Sequence, residues 1–358
     1  MEYILCFITS LIFTYLAEKS DRGMKKCYIF IALICPVLLA GLRDVSIGID
    51  VNMYVTPTFY IAQNSSSLVS FLHYYETEED LGFIIYVFFV TKCFNSLWVL
   101  MALNHLIIMV PIFAALFYVK RKYDISVWFG LAIWLLSFYN MSLCVIRQEM
   151  SISLAIMALL ALSQRKYKVM AFWAFLSVTF HKTSIVFLLI AAAFYIISLK
   201  VHKNKIKNLI VLAILGAVFI GMQMISFFLA FMDTKYSDRL EEYGTNSGGT
   251  LTMIFYFFIA ILPFVITYYN KKISNDQFFM YMPLIGFVIY VLSRDFMYLS
   301  RMIIPFNEMS IFTLPCVLRN KYMKWGILLL YLINWIVAYC IRGDWETYPY
   351  ILSKDILF

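Results

Sequence analysis

Hydrophobic residues in this chain neither alternate nor trace a single helical stripe. They run in blocks of about 15–25 residues between polar breaks, the length a helix needs to cross roughly 30 Å of hydrocarbon. Blocks that are apolar on every face exclude an outer-membrane barrel, whose strands would alternate. The pattern predicts spans at about 3–17, 25–42, 97–119, 125–145, 148–164, 168–181, 184–199, 208–232, 251–270, 277–293, 302–318 and 325–341. The apolar block from Gly82 to Thr91 is too short to cross and follows a long polar stretch, so it reads as a re-entrant or interfacial helix. The expected fold is all-α and polytopic: one transmembrane domain over residues 1–358, with twelve crossings, that short helix, and both termini on one side.

Composition agrees with the pattern. The 358 residues are 63% hydrophobic and 14% charged, with mean hydropathy +0.82, which rules out a water-soluble enzyme. Tyr3 to Ala17 lacks a basic lead-in and a small-residue cleavage site, so it reads as a span rather than a signal peptide. The seven cysteines are widely spaced, odd in number and without a Cys-x-x-Cys pair, and read as small buried hydrophobes.

Charge adds an orientation. In a soluble protein a net charge of +8 would suggest nucleic acid, but here its distribution matters more than its sum. Every second loop is basic: 18–26, 120–122, 165–168, 200–207, 271–272 and 319–324 carry 19 of the 29 Lys and Arg, against only four acidic residues on that face, Glu18, Asp21, Asp124 and Asp276. By the positive-inside rule these loops are expected to be cytoplasmic, and the excess marks orientation rather than a polyanion partner. The opposite face holds the longer, mixed-polar segments 43–82, 233–250 and the tail 342–358, together with ten basic residues that run against the trend. Arginines at a membrane edge need a counter-charge, water or an anionic ligand. Several on one face favour a lipid phosphate, which a guanidinium grips with two parallel hydrogen bonds.

Three constellations on that face carry candidate chemistry. The first runs Gly41-Leu-Arg43-Asp-Val-Ser-Ile-Gly48-Ile-Asp50-Val-Asn-Met-Tyr54, where a span gives way to a loop and Asp50 and Tyr54, four apart, would share a helical face. The second is Asn140-Met-Ser-Leu-Cys-Val-Ile-Arg147-Gln148, with Arg147 opening the next helix. The third is Phe180-His181-Lys182-Thr183-Ser184, a tight turn between two spans. A histidine in such a turn is more often interfacial than catalytic, and most of the aromatic residues, 18% of the chain, pack helices or belt the interfaces.

In order and spacing these elements resemble the EpsG family of Wzy-like polysaccharide polymerases. Glu79 with Gly82-Phe83, Tyr236 and Arg239 in the late loop, Arg301 before a span, and Tyr348-Pro349-Tyr350 extend the resemblance from about residue 40 to the C-terminus. The chain departs from the pattern at Lys182-Thr183, where a small residue is usual before Ser184, and at Ile49, where Thr is common. The resemblance implies a membrane glycosyltransferase, of GT-C-like architecture, in the bacterial plasma (inner) membrane with its active site on the periplasmic or exterior face. It further implies polymerisation of O-antigen, capsule or exopolysaccharide from repeat units carried on undecaprenyl pyrophosphate, beside a flippase and a chain-length regulator, with membrane lipids and no nucleic acid as partners.

Such chemistry needs cations for the leaving pyrophosphate and, optionally, a base for the acceptor hydroxyl. Arg43, Arg147, Arg239 and Arg301 are the expected cations. Gln148, Tyr54 and Tyr236 are candidate donors to sugar or phosphate. Asp50 and His181, then Glu79, lead the candidates for the base, with Glu149 also present; a carboxylate would need a partly dry site to serve as one. No Asp-x-Asp motif and no acidic or histidine cluster at ligand spacing is seen, so no metal and no cofactor is expected. A flippase for the same lipid-linked glycan would also want arginines, but should carry internal repeats and polar, broken spans at the midplane. An O-antigen ligase should carry its large outer loop late in the chain, and an acyltransferase should carry His-x-x-x-x-Asp, which His181 does not open.

Overall fold

A computed structural model describes residues 1–75, 80–200, 213, 216, 250–269, 277–292 and 301–353. It is helical almost throughout, and no strand occurs among these residues. Among the described residues, five helical segments are long and apolar enough to cross a bilayer: Gly23–Gly41, Leu97–Tyr123, Ile146–Ser163, Leu251–Tyr269 and Lys321–Ile341. Five shorter apolar helical segments stand beside them, at Leu81–Phe94, Val127–Ser137, Tyr167–Phe180, Ser184–Tyr195 and Met280–Val291. The chain divides into two compact units, Met1–Ile185 with Arg319–Phe358, and Val186–Leu318.

In the first unit, α1 (Glu2–Lys19) and α2 (Arg22–Gly41) form an antiparallel hairpin against α6 (Leu97–Tyr123) and α7 (Val127–Ser137), while α9 (Ile146–Ser163) pairs with α10 (Tyr167–Phe180). Between apolar helices in lipid, packing and hydrogen bonds replace the hydrophobic effect as the source of association. Ser10 accordingly donates to the Ala32 carbonyl at 2.6 Å across the α1–α2 hairpin, and Ser151 to the Ser177 carbonyl at 2.7 Å across α9–α10.

Two polar ends result. At one, Glu18 accepts from the backbone N–H of Val127 at 2.7 Å and of Trp128 at 3.3 Å, and pairs with Lys120 at 3.1 Å. A carboxylate thus satisfies orphan donors of α7 where the helix dipole favours an anion. Arg319 donates to the carbonyls of Tyr123 and Asp124, and Tyr118 lies 3.4 Å from Ser163, so the basic loops 18–26, 120–122, 165–168 and 319–324 gather here. The three constellations lie at the opposite end.

The expected span 125–145 is interrupted. α7 stops at Ser137, a six-residue buried α8 (Tyr139–Cys144) follows, and α9 starts after Val145 leaves helical dihedrals at ψ 55°. The broken backbone has tertiary partners: the Tyr139 hydroxyl donates to the Pro36 carbonyl at 2.8 Å, and that of Tyr339 to Ser137 at 2.8 Å. Segment 43–82, read from its polarity as a long loop, is also largely helical. A π-helical turn (Val51–Val55), α3 (Thr56–Asn64) and α4 (Leu68–Leu72) fold onto α5 (Leu81–Phe94) around Ala62, Phe71, Ile84 and Phe88. Ser67 and Ser70 cap α4 reciprocally, each side chain accepting from the other's backbone N–H at 3.1 Å.

The second unit contains α11, which begins at Ser184 in the first unit and runs to Lys200, then α12 (Thr250–Tyr269) and α13 (Gln277–Leu292). The expected span 302–318 follows as two pieces, α14 (Ile304–Glu308) and α15 (Ser310–Val317), before α16 (Lys321–Trp335) returns to the first unit. Gly286 on α13 admits close approach: a Cβ there would lie 2.4 Å from Asn307 Oδ1.

Candidate functional site

Asp80 joins residues that are far apart in sequence. It precedes α5, in the position of a helix cap, but its side chain makes no cap bond. Instead the carboxylate, 7% exposed, turns into the unit: Oδ2 accepts from Arg147 Nη1 at 3.3 Å and from His181 Nδ1 at 3.0 Å, while Oδ1 accepts from the Lys182 backbone N–H at 3.3 Å. An ionised carboxylate only accepts, so Nδ1 carries the proton and Nε2 of a neutral His181 carries the lone pair. That is the tautomer a base requires.

Each partner is held by its own element. Arg147 projects from the first turn of α9, and its guanidinium stacks on the Tyr54 ring at 4.2 Å from the centroid. Tyr54 belongs to the π-helical turn, so the first constellation meets the second through this contact. His181 ends α10 in an extended conformation, and the Ser184 hydroxyl donates to its carbonyl at 2.9 Å. The approach of α5 to α10 depends on Gly82, where a Cβ would stand 2.5 Å from Thr179 Oγ1 and 2.8 Å from the Thr179 backbone. The departure at Lys182-Thr183 is harmless at this contact, because the turn offers Asp80 a backbone group and the Lys182 side chain is exposed. Side chains of His181 and Arg147 keep 26% and 18% of their surface, leaving a solvent-facing edge beside exposed Tyr54.

Arg43 lies apart from this cluster. It is fully buried, and its guanidinium donates to the carbonyls of Ala40, of Ile47 at 3.4 Å and of Leu143 at 3.1 Å. Ala40 and Leu143 belong to the last turns of α2 and α8, where carbonyls lack intrahelical partners and a cation is favoured. Burial pulls its pKa down, but an arginine starts high enough to stay charged. The C-terminal strap closes over it: Asp44 N–H donates to Ile351 at 2.8 Å, Ser353 N–H to Leu42 at 2.9 Å, and the Tyr350 hydroxyl to Leu39 at 2.9 Å. Asn140 takes part in the same lock, donating to Thr347 Oγ1 at 3.1 Å and accepting from Trp335 Nε1 at 2.8 Å. Gly48, at φ +89°, sits where a Cβ would come 2.5 Å from the Leu143 carbonyl.

Of the other expected residues, Asp50 is half-buried at the start of the π-helical turn, and Gln148 and Glu149 are buried in the first turn of α9. Arg301 opens a short 3-10 turn in the second unit. Glu79, Tyr236 and Arg239 lie outside the described residues. Among the described residues no three His, Cys, Asp or Glu side chains gather as a metal site. Asp80 was missed in the sequence because an acidic residue before an apolar helix already has an explanation as a cap.

Long apolar helices and a charged cluster at their ends define an all-helical membrane protein. The chain belongs to the EpsG family, whose family model matches residues 3–352. No curated protein and no solved structure matches it.

Proposed function

We propose that this protein is a polysaccharide polymerase of the plasma membrane, transferring a growing glycan from undecaprenyl pyrophosphate to the terminal sugar of a lipid-linked repeat unit at the outer face. The supporting observation is the cluster Tyr54–Arg147–Asp80–His181, which sets a cation and an oriented imidazole side by side at the end of the unit opposite its basic loops. In the transfer, the bond between the anomeric carbon and the pyrophosphate oxygen breaks and the lipid pyrophosphate leaves with the electron pair. The acceptor hydroxyl oxygen bonds to that carbon, and its proton passes to His181 Nε2. Arg147 faces the charge developing on the leaving group, a role that a fixed guanidinium can fill without a metal; Arg301 and Arg239 are cations that the resemblance alone suggests. Tyr54 offers a face for stacking on a sugar or a hydroxyl for bonding one. Asp50 and Glu79 are the alternative bases; Gln148 and Tyr236 are further donors. Arg43, held among backbone carbonyls, supports the loop that carries Tyr54.

Twelve crossings, a GT-C-like architecture and action beside a flippase and a chain-length regulator complete the reading. The test deletes the gene in a strain that makes long surface glycan and separates products by length. Loss of long chains with single-repeat products retained is expected, and His181→Ala should slow extension about 10²–10⁴-fold. Loss of single repeats as well would instead indicate a flippase.

A further inference from the structure

We infer that Asp80 is a positioning residue that couples occupancy of Arg147 by a lipid diphosphate to the readiness of His181 to accept a proton. The inference rests on the polymerase reading and names a control within the same site. One oxygen, Asp80 Oδ2, accepts from both partners, at 3.0 Å from His181 Nδ1 and 3.3 Å from Arg147 Nη1. Arg147, which carries a permanent charge and a planar fork of donors, is the partner a competing anion engages. Arg147 can change partners without losing its place, because the Tyr54 ring holds its guanidinium plane at 4.2 Å. His181 cannot, since the Lys182 N–H bond to Oδ1 and the Ser184 bond to the His181 carbonyl keep the turn against the carboxylate.

The electrostatics give this exchange a direction. While Arg147 pairs with Asp80, the guanidinium cancels part of the carboxylate charge felt by the imidazole and disfavours a second positive charge nearby. A diphosphate on Arg147 removes that opposition and leaves Asp80 to stabilise an imidazolium. Proton removal from the acceptor hydroxyl is thereby favoured only after the donor is seated. Among the described residues, the charged groups that meet His181 through this contact are Asp80 and, on the same oxygen, Arg147.

The experiment uses the full chain in lipid nanodiscs, with farnesyl diphosphate as the probe, alongside chain-length analysis in the deletion strain. Asp80→Asn removes the anion that competes for Arg147, so the probe should bind roughly fivefold or more tightly while extension slows. His181→Gln should bind the probe like the wild type and extend poorly. An Asp80 that merely holds the fold would lose binding and extension together, and that result overturns the inference. Should Asp80→Asn not insert, the wild type decides: ring nitrogen resonances of His181, assigned by their loss in His181→Gln, are expected to shift on adding farnesyl diphosphate, and unchanged resonances overturn it. A wild type that binds no farnesyl diphosphate would count against the polymerase reading itself.

Discussion

Two arginines, read alike in the sequence as phosphate ligands, have different surroundings. Arg43 is sealed among helix-terminal carbonyls, and Arg147 shares a carboxylate with a histidine at a partly open edge. Hydrogen bonds from a charged donor are worth about 1.5–3 kcal/mol each, so losing those of Arg43 should cost roughly 3 kcal/mol or more. Arg43→Ala is therefore expected to accumulate poorly and melt early. Arg43→Lys should recover little, because one ammonium cannot reproduce the planar fork. Fluorescence-detected size-exclusion with a melting series measures both; an Arg43→Ala protein with wild-type stability but no diphosphate binding would return this residue to the site.

At the scale of elements, the site depends on how closely three short pieces approach: the π-helical turn, the start of α5 and the end of α10. Gly82 sets the last of these distances. Adding a methyl group against the Thr179 backbone is overpacking, with a cost of about 1–3 kcal/mol, and it pushes Asp80 away from His181. Gly82→Ala should shorten the polymer more than it lowers protein level, and full-length product would refute this account of the α5–α10 contact. The break between α7 and α9 is a comparable device. An unbroken span there would use the Leu143 carbonyl within its own helix, whereas the break releases it to Arg43 and to the approach of Gly48.

Across the molecule, the apolar blocks were legible because bilayer thickness sets the length a crossing helix must have, and the bilayer-length helices α9 and α12 begin and end within two residues of the expected spans. The gathering of four basic loops at one end of the first unit follows from the same alternation. Reporter fusions at 120–122 should therefore read cytoplasmic and fusions at 182 external; the reverse would overturn the proposed orientation. Sequence alone also named Tyr54, Arg147 and His181, since polar and charged side chains at the ends of apolar blocks stand out. It could not tell that they meet, that Asp80 stands between Arg147 and His181, or that Arg43 is buried among backbone carbonyls. Spacing along the chain reports which face of an element a residue occupies. The carboxylate that Arg147 finds lies 67 positions away and the Leu143 carbonyl that Arg43 finds lies 100 away, partners that only the packed helices bring within 3.5 Å.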